Sequence, residues 1–170
     1  KKSAVVPDDQ ARQFLLLMDW LTAAGYEQYE ISNFAKPGYR SRHNSSYWEG
    51  KHYLGLGPSA HSFNGSSRQW NLANNALYIK YLEMGTLPAE TEVLSAEQQL
   101  NELVMISLRT IEGIDLDRLT RLFGDVHSTR IRGLSEKYAQ AGKLEITDSR
   151  IRLTPAGRLF ADGIAADLFA

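Results

Sequence analysis

The sequence predicts an α+β fold in two parts: an α/β layer, then a winged-helix-like α+β domain. Three observations carry this. Residues 8–31 run helix, glycine, strand, which is the rhythm of an α/β layer. Residues 95–170 run three helices, a hairpin and a helix, the order of a winged helix-turn-helix. Of 170 residues, 43% are apolar and 23% charged, a balance that supports buried cores and argues against disorder.

The first helix is expected to begin at Asp8 or Asp9, whose carboxylates can cap free backbone N–H groups. Ala11, Phe14, Leu15 and Met18 fall at helical spacing, and Leu16, Leu17 and Trp20 widen the face. The helix is therefore expected to be buried on much of its circumference, with a stop at Gly25. Tyr26 to Ile31 reads as a strand, and residues 32–52 as a long connection around Pro37-Gly38. Connections that long inside a compact domain usually carry function. Tyr53 to Gly57 reads as a short strand. Ala60–Phe63 and Arg68–Asn71 read as hairpin arms about Asn64-Gly65. A helix over 75–84 is expected to bury Leu77, Tyr78, Tyr81 and Leu82, and Leu87-Pro88 to open a linker reaching Leu94.

Ser95 and Gln98 form a capping box for a helix whose core side is Leu100, Leu103, Val104 and Leu108. Asp115 caps a short helix with Leu116, Leu119 and Phe123 inward. A third helix turns Val126, Ile131, Leu134 and Tyr138 inward. Residues 144–146 and 151–153 alternate with period two about Asp148-Ser149, a hairpin. Thr154-Pro155 opens the last helix, which is expected to bury Leu159, Phe160, Ile164 and Leu168. The expected domains are 1–90 and 91–170.

Composition removes several classes of chemistry. The chain has no cysteine, so it holds no disulfide, thiolate zinc site, cysteine-ligated cluster or cysteine nucleophile. That fits a reducing compartment, and a cytoplasmic location is expected. The net charge is −1. Residues 1–94 hold nine cations and nine anions, and residues 95–170 ten and eleven. The winged-helix-like part offers Arg130, Arg132, Lys137, Arg150 and Arg152 to a nucleic acid, with Asp125, Glu136, Glu145 and Asp148 among them. So even a balance gives little counterion release, and no nucleic-acid partner is expected. No apolar run approaches the ~20 residues that span a bilayer. There is no carboxylate pair, nucleophile elbow or phosphate loop of diagnostic spacing, and no catalytic residue is assigned.

Chemistry concentrates between residues 29 and 62. Residues 36–52 hold Lys36, Arg40, Arg42 and Lys51 against the single acid Glu49, beside Tyr39, His43, Tyr47, Trp48 and His52. Cations beside flat rings suit a planar ligand with carboxylates or phosphates at its rim, and His43 has the imidazole to ligate iron. The same residues also fit a solvated loop whose rings pack on the helices beneath. Gly55-Leu56-Gly57-Pro58-Ser59-Ala60-His61 reads either as a turn needing positive φ or as a place where a ligand meets backbone closely. Glu30 and Asn33 read better as caps of a turning chain than as ligand contacts.

Three runs together then carry a resemblance: Tyr29-Glu30-Ile31-Ser32-Asn33-Phe34-Ala35, Arg42-His43-Asn44-Ser45-Ser46-Tyr47-Trp48 and Gly55-Leu56-Gly57-Pro58-Ser59-Ala60-His61-Ser62. They resemble the carboxy-terminal half of oxygen-independent coproporphyrinogen III oxidase-like radical S-adenosylmethionine proteins. The branch resembled most is the haem chaperones, with their His-Asn-x-x-Tyr-Trp motif. The resemblance implies that residues 1–90 are the last portion of a partial (β/α) barrel and 91–170 the winged-helix-like domain. It implies haem or porphyrin held at His43, Asn44, Tyr47 and Trp48, with His43 on the iron and Tyr47 and Trp48 shaping or covering the haem face. It places Gly55, Gly57 and Ala60 near S-adenosylmethionine. Arg40 and Arg42 are our own candidates for the propionates.

The family's 4Fe-4S cluster needs three cysteines that this chain lacks. Together with the missing initiator Met, this leads us to expect a piece of a longer protein, inactive by itself and prone to self-association. A haem-recipient protein is implied but not named by any residue. Two alternatives stay open, a true anaerobic coproporphyrinogen III oxidase and a winged-helix nucleic-acid module.

Overall fold

A computed structural model describes residues 7–170. The first helix, α1, spans Pro7–Ala23; its expected cap lies at the edge of the described residues. Met18 is its buried side chain, while Leu15, Leu16, Leu17 and Trp20 are exposed, Trp20 at 68%. The expectation of a largely buried helix is therefore corrected. Periodicity marks an apolar face, but nothing in the described chain covers this one.

Strand β1 (Glu27–Glu30) pairs antiparallel with β2 (Asn33–Ala35). On its other side β1 meets the chain at Thr110 through an isolated bridge, with Ile31 N donating to Arg109 O and Ile111 N to Tyr29 O. Short helix α2 (Arg42–Trp48) follows, capped by Ser41, whose side chain accepts from Asn44 N. The long connection expected over 32–52 is thus folded into a strand and a helix. Residues 53–57 do not form the expected strand: Tyr53 makes one bridge to Phe63. The chain crosses too closely there for a regular ladder, since a Cβ on Gly55 would lie 2.2 Å from His61 O.

Strands β3 (His61–Phe63) and β4 (Ser67–Asn71) form the expected hairpin. Helix α3 (Asn75–Glu83) buries only Tyr78; Leu77, Tyr81 and Leu82, expected inside, are exposed. The linker expected over 87–94 contains strand β5 (Ala89–Val93), which continues the sheet in the order β3-β4-β5. Alternating Glu and Thr with little burial hide such an edge strand from a periodicity reading.

The remaining chain builds one core. Helix α4 (Ala96–Leu108) begins with the expected capping box. Strand β6 (Ile114–Asp115), α5 (Leu116–Phe123), α6 (Asp125–Gln140), β7 (Leu144–Ile146), β8 (Arg150–Leu153), a 3-10 turn (Arg158–Phe160) and α7 (Ala161–Leu168) complete it. The sheet order is β6-β8-β7, all antiparallel. Leu100, Val104, Leu108, Ile114, Leu119, Ile131, Ile151, Ile164 and Leu168 are essentially inaccessible, each worth about 1.5–3 kcal/mol of burial. Two expectations fail at its margins. Val126, in the first turn of α6, is 79% exposed. Leu159 and Phe160 also stay at the surface, because Thr154 closes a turn onto Gly157 and regular helix begins only at Ala161.

Candidate functional site

Helix α2 presents two i,i+4 pairs on adjacent faces. His43 and Tyr47 form one: their rings meet edge to face with centroids 5.1 Å apart. Both side chains are exposed, and among the described residues no hydrogen-bond partner is recorded for the His43 ring. The aromatic contacts continue from Tyr47 to Tyr53 at 4.9 Å and from Tyr53 to Phe63 at 6.1 Å, with His52 edge-on to Phe63 at 6.4 Å. The result is a ledge of rings with His43 at its outer end. Burial raises the Tyr53 phenol above its ordinary value.

Asn44 and Trp48 form the second pair and attach the helix. Asn44 Nδ2 donates to Asn33 Oδ1 at 3.1 Å. The guanidinium of Arg109, at the end of α4, lies 5.3 Å from the Trp48 ring centroid. Trp48 Nε1 is buried without a protein acceptor among the described residues. The Trp48 side chain also borders a cleft of about 310 Å³ lined by Arg40 and Arg118 among others.

Beneath α2 lies a buried ionic anchor. The Glu30 side chain is fully inaccessible. It accepts from Ser32 N at 2.9 Å and from Asn33 Nδ2, so Glu30 and Asn33 do brace the turn as the sequence suggests. Its other oxygen accepts from Arg109 Nε at 3.0 Å and Nη2 at 2.9 Å, and Arg109 Nη1 reaches Asp162 at 2.9 Å. A fully buried carboxylate survives because every lone-pair direction is used. Sequence reasoning missed Arg109. The one available signal was an acid inside the apolar run Tyr29-Glu30-Ile31, which demands a cation from elsewhere.

The cations expected around a ligand rim sort themselves. Arg40, named above for the propionates, is already paired. It pairs with Glu27 at 2.8 Å and Glu112 at 2.7 Å and covers the Tyr29 ring; the Glu27 hydrogen bond above all holds its proton more firmly than usual. Lys36 donates to Ala24 O beside the Tyr26 ring, and Lys51 pairs with Glu49. Arg42 is exposed and has no recorded acceptor among the described residues.

The glycine turn has a structural account of its own. Gly55 is needed where residue 61 passes over it, and Gly57 adopts φ +96°. Buried Asn71 ties the turn down, with Nδ2 donating to Gly57 O at 2.9 Å and N donating to Ala60 O at 2.9 Å. No recorded contact links Gly55, Gly57 or Ala60 to the His43 ledge. The Leu54 and Leu56 side chains beside the turn are more than three-quarters exposed. Without cysteine the residues present do not fit an iron–sulfur cluster, and no other metal-ligating group of three occurs among the described residues.

The winged-helix cations are spent internally. Arg130 caps Leu168 O and Phe169 O; Arg132 binds Thr147 O; Lys137 pairs with Asp167 at 2.8 Å. Arg150 reaches Asp115 and Glu112 O, and Arg152 reaches Glu112 O. A nucleic acid would have to break these contacts.

With this geometry in view, comparisons place the chain. Residues 94–160 match the family model of the HemN C-terminal domain. The chain is 36% identical to the heme chaperone HemW of Mycobacterium tuberculosis over 95% of its own length and 40% of that protein's. The chain belongs to the HemN-like family. The Bacillus subtilis heme chaperone HemW is 30% identical over 92% of this HemN-like chain and 42% of its own length. A solved structure of coproporphyrinogen III oxidase (HemN) from Escherichia coli, a radical SAM enzyme, superposes with TM-score 0.73 at 20% identity, covering 98% of this chain and 42% of that one. That likeness shows the α+β fold. The HemN-like chain spans about 40% of the length of the curated relatives it matches. No helix among the described residues is long and apolar enough to cross a membrane.

Proposed function

We propose that this chain is the carboxy-terminal part of a cytoplasmic radical S-adenosylmethionine haem chaperone, and that it holds haem through His43 and passes it to a recipient protein. The observation that carries this reading is the split of α2. Asn44 and Trp48 fasten the helix to the body while His43 and Tyr47 stand free on a ledge of rings. An exposed imidazole with no competing hydrogen bond is available to a metal, and flat rings offer a macrocycle apolar contact. In this reading Asn44 and Trp48 serve the haem by fixing the helix that presents His43.

Residues 1–90 would complete the barrel of the longer parent, with Gly55, Gly57 and Ala60 near its S-adenosylmethionine. The exposed faces of α1 and α3 support this, being apolar with nothing in the described chain to cover them. The parent's cluster ligands would come from outside this chain. The winged-helix-like unit, given above as 91–170, would begin after β5, since that strand pairs with β4 and the family match starts at residue 94. An oxidase reading has the fold likeness and the match of residues 94–160 behind it, whereas the haem chaperone relatives are alike in sequence over most of the chain.

The test is titration of the protein with haemin, followed at the Soret band. The unaltered protein should give a shifted, saturable band, and His43→Ala should lose it. An identical band and affinity in His43→Ala would overturn the ligand assignment.

A further inference from the structure

The haem reading leaves the charged rim of the ligand without a partner. Two carboxylates on an apolar macrocycle need donors, and a guanidinium is the strongest side-chain match for a carboxylate. The segment that bears His43 holds four cations, and three of them already have an acceptor within the chain. Arg40 is locked between Glu27 and Glu112, Lys36 on Ala24 O and Lys51 on Glu49. Arg68, whose charge is felt by Tyr53, is tied to Glu102.

Arg42 remains. It is exposed in the first turn of α2, one residue before His43, and no carboxylate or carbonyl accepts from it among the described residues. Consecutive helical residues project about 100° apart. A ligand hung on His43 and lying along Tyr47 would therefore have Arg42 on one flank. Its other flank would be Asn44, already committed to Asn33.

We propose that Arg42 clamps one carboxylate of the tetrapyrrole while His43 holds the metal, so that the macrocycle binds with its acidic edge toward the start of α2. This rests on the haem reading and deepens it: the ligand is a metalloporphyrin carrying free carboxylates, and its orientation is set by one guanidinium.

The test compares haemin with haemin dimethyl ester, which keeps iron and ring but loses both negative charges. Both are titrated into the unaltered protein, Arg42→Gln, Arg42→Lys and His43→Ala. Arg42→Gln should weaken haemin binding about tenfold and leave the ester within about twofold. Arg42→Lys should fall between, and the salt dependence of haemin binding should flatten in Arg42→Gln. Equal loss for haemin and ester, or no loss for either, would overturn the clamp. Loss of haemin binding in His43→Ala without such discrimination in Arg42→Gln would sink the clamp and leave the haem reading standing. No haemin binding by the unaltered protein would sink both.

Discussion

Before residue 94, four apolar side chains are buried among the described residues: Met18, Tyr29, Ala35 and Tyr78. From residue 94 on there are fifteen. The two regions do not differ in how many apolar residues they own so much as in where those residues find partners. In the second region α4, α6, α7 and the β6-β8-β7 sheet close on one another. In the first, α1 shows Leu15, Leu16, Leu17 and Trp20 to the outside, and α3 shows Leu77, Ile79, Leu82 and Met84. The region that makes its own core is a scaffold. The region that does not carries exposed His43, and it is held to the scaffold by a few polar ties, Glu30 to Arg109, Gln28 to Arg158 and Arg40 to Glu112.

The contrast can be broken most sharply by matched substitutions. Leu119→Ala, at a fully buried site, should cost about 2–5 kcal/mol in urea denaturation. Trp20→Ser should change stability by less than about 0.5 kcal/mol and should lower self-association seen by light scattering. A large destabilisation by Trp20→Ser would mean that the α1 face is covered within this chain.

The tie between the regions comes next in size. Glu30→Gln keeps the shape but removes the charge facing Arg109, and should cost about 1.5–3 kcal/mol. Hydrogen exchange at Ile31 and Ile111 N–H, the two donors across that contact, should rise more than exchange in the α6 interior, because β1 would loosen from residues 109–111. Uniform acceleration would show that both regions unfold as one unit.

The smallest effect is a pH dependence inside the scaffold. The Lys137 hydrogen bond, joined by that from Tyr138, holds the Asp167 carboxyl below its ordinary value. A lowered folded-state value gives stabilisation that is complete above the ordinary carboxylate range and lost as pH falls through the lowered value. The Tm gap between the unaltered protein and Asp167→Asn should therefore be small at neutral pH and vanish in acid. A gap that persists there would assign the effect to packing.

Some of the fold was written locally. The Ser95–Gln98 box, the Asp115 cap and the two hairpins depend on neighbours a few residues apart, and they formed as the sequence indicates. Strand β5 was not legible, because Ala89–Val93 gains its identity from pairing with β4. The site was half legible. The motif marked Arg42 to Trp48, but it could not tell the face that anchors from the face that is free.

By itself, then, the sequence determined the helices and turns whose hydrogen bonds close within a few residues, the absence of thiolate chemistry, and the stretch in which imidazole, rings and cations crowd together. Only the tertiary structure decided which of those cations are spent. An ion pair such as Arg40–Glu112 or Arg109–Glu30 joins residues more than seventy positions apart, and no local pattern encodes so distant a partner. The same long-range packing left Arg42 and His43 open on one helix while it buried the carboxylate beneath them.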